Sequence, residues 1–423
     1  MPANTRAEID AATAMMLYMS AQNELTNKAT DNINAIRSNV VLDNLCLYIV
    51  EDTYQDLDRD ETNVRTTFHY ELPRGAVDSD FQRQSFGNMD KTVGDPNVFR
   101  KFLERAQEHF KKNSTRHKIL ILWGHGGGMV MLDEEKMNGT VLARASIAEF
   151  AEVLEQQSKL KNAFKFDIIA FDSCYMGVIE VMNQFREATP FALVSSTVVD
   201  ADGYPYKRII KDLKEKGPML KPKAAAELIA TCYDDHYKLL LPEEERYLFT
   251  CNMKKIEACV DALNVFGDEL AKLLGPDEND DRVRDAINEA LIAAHADCAY
   301  VPVLIFLRKL EHRLTSVLDQ DKIKNLKKAG GALAKAVKAS FRGQLSDGGY
   351  TPTSPLIWSP DSRGIFLRDQ EAYSQLDSSK KGTAGWVSMW RKFHGFKEAL
   401  SPGAVVTGKF RIGLPKSVLF GLM

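Results

Sequence analysis

HKILILWGHGGG at residues 117–128 and FDIIAFDSCYMG at residues 166–177 decide the class of fold. Each is a short apolar run that stops abruptly at small and reactive residues. Apolar runs without polar alternation suit strands buried on both faces, the condition of a parallel sheet covered by helices. Ala14 to Met19, Asn44 to Val50 and Phe191 to Ser196 are runs of the same kind. Between and after them, Asn97 to Phe110, Ile147 to Gln156 and Val178 to Arg186 carry apolar residues at helical spacing. The alternation predicts an α/β core over residues 1–253, a mostly parallel sheet flanked by helices. From Met253 to Ala339 the periodicity is helical, as in ACVDALNVFGDELAKLL (258–274) and AGGALAKAVKASF (329–341). Residues 254–423 therefore read as a mainly helical region. Beyond the Gly/Pro/Ser-rich stretch 348–364, Gly364 to Arg368 and Lys409 to Leu414 read as short strands returning to the core.

Composition narrows the function classes. The 423 residues are 44% apolar with a net charge of -3, enough to bury one large core or two modest ones. That charge offers no broad basic field for nucleic acid, and no apolar stretch reaches the roughly 18 residues of a membrane helix. The first residues, MPANTRAEIDAATAMMLYM, lack the basic head and small-residue cleavage site of a signal peptide, so a cytoplasmic chain is expected. Cysteines at 46, 174, 232, 251, 259 and 298 form no CxxC pair, which argues against a zinc site or a disulfide framework. Five of them read as inert core thiols.

The sixth is Cys174. Ligands of an open parallel sheet bind outside the carboxyl ends of its strands, and His125 and Cys174 each stand just past such an end. They lie 49 positions apart, room for a crossover helix and its loops. A helix beginning near Tyr175 would place Cys174 at its positive end, which favours thiolate. Gly126, Gly127 and Gly128 lack a Cβ, so their backbone can press against a substrate. The N–H groups of Gly126 and Cys174 could then hold an oxyanion. Alone, a Cys after a strand is usually a small core residue and a His a hydrogen-bonded structural one. Both at strand ends, flanked by Gly or Asp, they are candidates for a nucleophile and base, with the structural reading still open at this point.

Asp172, two residues before the cysteine, would share its face on an extended backbone. A carboxylate there is either a turn former or an acid beside the nucleophile that selects a cationic side chain. Asp200 and Asp202, in STVVDADGYPY (196–206), are cap residues or a second contribution to that pocket.

The two motifs together resemble the clostripain family of cysteine peptidases, relatives of caspases, legumains and gingipains. GNMDKTVGDPNVFRKFLERA (87–106), ALVSSTVVDADGYPY (192–206), RGIFLRDQEAYSQL (363–376) and GWVSMWRKF (385–393) extend the resemblance along most of the chain. It implies a caspase-like fold and endopeptidase activity on polypeptide substrates. It assigns His125 as general base and acid, Cys174 as nucleophile, and Asp172 to a pocket for Arg or Lys before the scissile bond. Family members are also processed after a basic residue into two chains that stay associated. Here the segment between His125 and Ile147, polar and turn-prone around 133–140, offers Lys136 and Arg144. Two departures bear on the pocket: Thr197 stands where relatives usually carry an acid, and the loop after His125 is apolar and rich in Met.

Other classes lack their residues. HGGG also occurs in lipase-like hydrolases, but no GxSxG elbow accompanies it. Neither a Walker loop nor a GxGxxG fingerprint is present. DLDRDETN (56–63) has DxDxD spacing without the Gly and Glu of a calcium hand, and reads as a solvated loop. Calcium dependence, known among clostripain-like enzymes, stays unassigned to any residue. The helical region is open to three roles: scaffold, docking of a regulatory protein, or control of access. The rival class is a caspase-like interaction protein without turnover, which a covalent active-site probe would separate.

Overall fold

The structure, a computed structural model, describes residues 12–38, 42, 44–54, 65–86, 92–111, 115–135, 141–160, 164–216, 220–241, 246, 248–275, 281–294, 300–343, 354–360 and 384–394. Contacts divide the chain into two compact units: Met1–Met176 with Phe185–Met253, and Gly177–Gln184 with Lys254–Met423.

The first unit is built on β1 (Ala12–Ser20), β2 (Leu45–Tyr54), β3 (Arg65–Leu72), β4 (Gln84–Ser85), β5 (Thr115–Trp123), a hairpin of β6 (Val130–Glu135) and β7 (Val141–Ser146), β8 (Ile168–Asp172), β9 (Phe191–Val194) and β10 (Phe249–Asn252). Outside the hairpin, these strands lie in the order β10-β9-β8-β5-β1-β2-β3-β4. The five from β9 to β2 run parallel, and β10, β3 and β4 add antiparallel neighbours on either side. The expected sheet is there, and all five anticipated runs form its parallel centre. Phe191 to Ser196 is shorter than read, its strand ending at Val194.

Successive side chains of β1 point to opposite faces. Tyr18 meets α2 (Pro96–Lys111) and α3 (Ile147–Lys159), with ring centroids 4.8 Å from Phe102, while Phe99 and Phe150 stack at 4.3 Å between the two helices. Each buried aromatic contributes a few kcal/mol at about 25 cal/mol per Å². Asp95 accepts from the N–H of Asn97 at 2.7 Å and Ser146 from that of Glu149 at 3.3 Å, caps that start these helices where their apolar periodicity begins. On the other face Met15, Leu17 and Met19 join a core with Ile33 and Ile36 of α1 (Thr26–Arg37), Ile209, Ile210 and Leu213 of α5 (Tyr206–Lys216), and Ile229 of α6 (Pro222–Tyr237).

The second unit is mainly helical, as its periodicity predicts: Ile256–Leu273, Asp281–Ala293, Val303–Val317, Gln320–Ser340 and Ala384–Phe393. Trp358, Trp386 and Trp390 are fully buried within it, and Trp386 Nε1 donates to the carbonyl of Trp358. Gly364 to Arg368 and Lys409 to Leu414 lie outside the described residues. A strand forms earlier, at Leu356–Trp358 inside the Gly/Pro/Ser-rich stretch, and pairs antiparallel with Tyr300–Pro302. Among the described residues no helix is long and apolar enough to cross a membrane.

Candidate active site

β5 and β8 are direct parallel neighbours, with Trp123 opposite Asp172 and the N–H of Gly124 donating to the Asp172 carbonyl at 3.2 Å. His125 and Cys174 each follow two residues beyond those paired positions, so the topology brings the two loops together. The approach is close. A Cβ on Gly126 would lie 2.5 Å from the carbonyl oxygen of Cys174, 3.0 Å from its nitrogen and 2.9 Å from Ser173 Cβ, so only glycine fits against the cysteine backbone.

After Gly126 the chain folds back on itself. Leu132 N–H donates to the His125 carbonyl at 2.8 Å and Gly127 N–H to Val130 at 2.9 Å, leading into β6 and β7. The segment expected to run over the surface begins and ends in paired strands, with Met131 and Leu132 buried because its apolar Met-containing half has a core to enter, while 136–140, most of its polar turn-prone stretch, lie outside the described residues. Arg144 sits within β7, and Lys136 lies outside the described residues.

His125 Nε2 is 2.9 Å from Glu24 Oε1; the histidine side chain is 19% exposed and the glutamate 46%. The Glu24 carboxyl is held below the usual carboxylate range, chiefly by the hydrogen bond from His125, against the opposing effect of burial.

Cys174 lies in a sharp turn. Tyr175 has φ 56, the left-handed region that a bulky residue rarely enters, and its N–H donates to the Thr197 carbonyl at 3.0 Å. Cys174 Sγ accepts from the Val199 N–H at 3.3 Å. The helix expected at Tyr175 begins only at Ile179 as α4 (Ile179–Phe185), so its macrodipole does not act on the sulfur. The thiol is instead pushed up to about 11, first by burial and then by the charges of Asp172 and Asp200, with the Val199 N–H opposing. Of the five described cysteines, Cys46, Cys232, Cys251 and Cys259 are buried and only Cys174 is partly exposed. Cys298 lies outside the described residues.

Asp172 ends β8 with its side chain buried. Oδ2 accepts from the Tyr204 N–H at 2.9 Å and from the Tyr206 hydroxyl at 2.7 Å. Oδ1 is buried and has no hydrogen-bond partner among the described residues. Burial pushes this carboxyl up to about 7, against the pull of those two donors. Gly203, at φ +68, closes over it: a Cβ there would lie 2.8 Å from Oδ2 and 3.0 Å from Trp123 Nε1. Asp200 is half-buried and adds its charge to Asp172, while its Oδ1 accepts from the Asp202 N–H at 2.9 Å. Asp202 itself pairs with Lys28 of α1. The three acids therefore differ: one is buried and open on one oxygen, one stands beside it, and one is held at the surface by a lysine.

Glu24, Val199, Tyr204 and Tyr206 escaped the sequence reading. Glu24 stands in the loop just past the end of β1, where the strand-end rule applied to β5 and β8 points equally well. The tyrosines lie inside a stretch read only for its acids. Among the described residues no group of three or more His, Cys, Asp or Glu is placed to hold a metal, and DLDRDETN lies outside them.

The model of the clostripain family matches residues 17–300. Clostripain of Hathewaya histolytica is 23% identical over 225 residues, 48% of this chain and 42% of its own length, so the chain spans less than half of that relative. An inactive zymogen C11 protease from Parabacteroides distasonis superposes with a TM-score of 0.56 at 15% identity, covering 87% of this chain and 98% of that one. A secreted C11 cysteine protease from Bacteroides thetaiotaomicron, in complex with an irreversible peptide inhibitor, gives 0.54 at 14%, covering 87% and 99%. At such identities the likeness is one of fold.

Proposed function

The chain belongs to the clostripain family of cysteine peptidases, and on that premise we propose that it is an endopeptidase with Cys174 as nucleophile, His125 as general base and acid, and Asp172 as receptor of an Arg or Lys side chain before the scissile bond. The observation that carries the specificity is the buried carboxyl of Asp172, whose Oδ1 has no partner among the described residues. A buried acid in that state is stabilised by any cation that reaches it, and a guanidinium or ammonium at the end of a substrate side chain is such a cation. Asp200 strengthens the field, whereas Asp202 is neutralised by Lys28. Gly203 packs its backbone so closely against Asp172 that a Cβ there would clash with the carboxyl.

In the reaction the Cys174 proton passes to His125 and the sulfur attacks the carbonyl carbon. The N–H groups of Gly126 and Cys174 receive the oxyanion in this reading, which the close approach of the two loop backbones supports. His125 then returns the proton to the leaving amine, and water releases the acyl group by the same route reversed. Because the thiol lies near 11 in the resting site, proton transfer in the substrate complex, rather than a standing thiolate, fits the surroundings.

Self-processing belongs to the same reading. Lys136 follows β6 directly, whereas Arg144 sits within a paired strand whose backbone must unpair before it can be cut. Cleavage after Lys136 is therefore the expected event.

Purified protein assayed on fluorogenic peptides varied at the residue before the cut tests the reading. Turnover after Arg and Lys that disappears in Cys174→Ala supports it. Preference for Asp, Asn or a large apolar residue would remove the pocket assignment, and turnover by Cys174→Ala the nucleophile. Mass spectrometry of the aged protein reports processing, with Cys174→Ala expected to stay one chain.

A further inference from the structure

The turn between β1 and α1 is tied by its own side chains. Thr26 Oγ1 donates to the carbonyls of Ala21 and Asn23, and the N–H of Leu25 donates to Asn23 Oδ1 at 2.9 Å. Ala21 N–H in turn donates to the Asp52 carbonyl at 2.9 Å, fixing the start of the turn to β2. Asn23 and Thr26 are both buried. Glu24 thus projects from a backbone held on either side, and its carboxylate reaches His125 Nε2 at 2.9 Å. One turn of helix later, Lys28 pairs with Asp202, next to the Gly203–Tyr204 segment that covers Asp172. The same short stretch therefore grips the histidine on one side and the pocket segment on the other.

An exposed carboxylate near a histidine by itself contributes little. Here the geometry says more. A carboxylate is an acceptor only, so the hydrogen between the two groups belongs to the imidazole, and Nε2 carries it. A neutral imidazole has a single N–H, which leaves Nδ1 as the nitrogen able to accept a proton. We infer that Glu24 is a positioning residue for His125: it holds the ring as the Nε2–H tautomer, turns Nδ1 into the proton acceptor for the Cys174 thiol, and stabilises the imidazolium once the proton has moved. The inference rests on the reading of His125 and Cys174 given above. In the step itself the S–H bond breaks as the Nδ1–H bond forms, sulfur keeps the electron pair for attack on the carbonyl carbon, and the proton leaves Nδ1 for the departing amine. Glu24 stays a carboxylate throughout.

The site has need of such support. The sulfur is crowded, two carboxyl groups stand near it, and no helix begins at the cysteine to favour its anion. An acceptor strengthened by a fixed carboxylate compensates for that, in the way a buried acid orients the histidine of a serine-protease triad.

The test uses full-length wild type, Glu24→Gln, Glu24→Ala and, to assign the ring signals, His125→Gln. Nitrogen-15 spectra of histidine-labelled protein at neutral pH read the tautomer directly. Wild type should show Nε2–H with Nδ1 unprotonated at His125, and Glu24→Ala a mixture of tautomers. In the peptide assay kcat should fall about 10- to 100-fold in Glu24→Ala at nearly constant KM, with Glu24→Gln between because its amide oxygen still accepts from Nε2–H. A merely structural role would lower thermal stability and leave the tautomer alone. Unchanged tautomer or unchanged kcat in Glu24→Ala overturns the inference. Should Cys174→Ala or His125→Ala retain turnover, the dyad is wrong, while a ring still locked by Glu24 in the same spectra would show that the hold on His125 is real but serves another chemistry.

Discussion

Two strands of the same sheet carry acids near their carboxyl ends, and they are treated differently. In β2, Glu51 and Asp52 are both buried, yet each is answered from within the chain. Glu51 receives Arg83 at 3.2 Å and the Tyr70 hydroxyl at 3.1 Å, and Asp52 receives the Thr67 hydroxyl at 3.0 Å. In β8, Asp172 receives a backbone N–H and a phenol on one oxygen, with no cation among its partners in the described residues. A buried carboxylate supplied with its own cation is part of the architecture. One that lacks it sits at a cost, and that cost is recovered when a ligand brings the charge.

The largest effect that separates the two strands is on turnover. Cys174→Ala, beside Asp172, should lower kcat by about five or six orders of magnitude and His125→Ala by several, both remaining folded by circular dichroism. Glu51→Gln should leave kcat as it is. If Glu51→Gln silenced the enzyme, the division between an architectural and a functional acid would fail.

Next comes the pocket. Asp172→Asn should reduce kcat/KM for Arg and Lys substrates on the order of 100-fold or more, the loss expected when one member of a buried charge pair is neutralised. Equal losses on basic and neutral substrates would assign Asp172 to the loop's shape instead of its charge.

The same substitution has a pH signature. The folded-state value near 7 stands above the ordinary value of 3.8, so the stability that Asp172 contributes is fully present below about 4 and is lost as the pH rises through 7. Asp172→Asn should therefore match wild type at pH 4 and exceed it at pH 8, by up to about 4 kcal/mol as the upper limit of a three-unit shift. Thermal melts across that window read the difference. A guanidinium ligand such as agmatine should narrow it by stabilising wild type at pH 8. A gap of constant size would mean that the carboxyl is already ionised at pH 4.

The smallest effect falls on β2. Arg83→Met should destabilise the fold by about 1 kcal/mol without altering specificity, modest because Arg83 is half-exposed and water can take its place beside Glu51. Chemical denaturation measures it. A change in substrate preference would extend the active site to that side of the sheet.

The parallel centre of the sheet was legible in the chain because strands buried on both faces must be continuously apolar, and MMLYM, CLYIV, ILILW and IIAF have no other use. His125 and Cys174 were legible for the related reason that apolar strands end where the chemistry changes. The antiparallel additions β3, β4 and β10 were not read, since their residues mix polar and apolar types in the way many loops do. Nor could local sequence say that Cys174 precedes α4 by a bend, with Tyr175 at positive φ, because that bend depends on contacts with Thr197 and Val199 beyond the next strand. The identity of the partners followed the same rule. That His125 meets Glu24, that Asp202 pairs with Lys28, and that Asp172 accepts from Tyr204 are facts about residues 32 to 174 positions apart. Periodicity and motif act over a single element, whereas a hydrogen bond to a buried side chain is chosen by whichever segment the topology delivers, and only the folded sheet decides that.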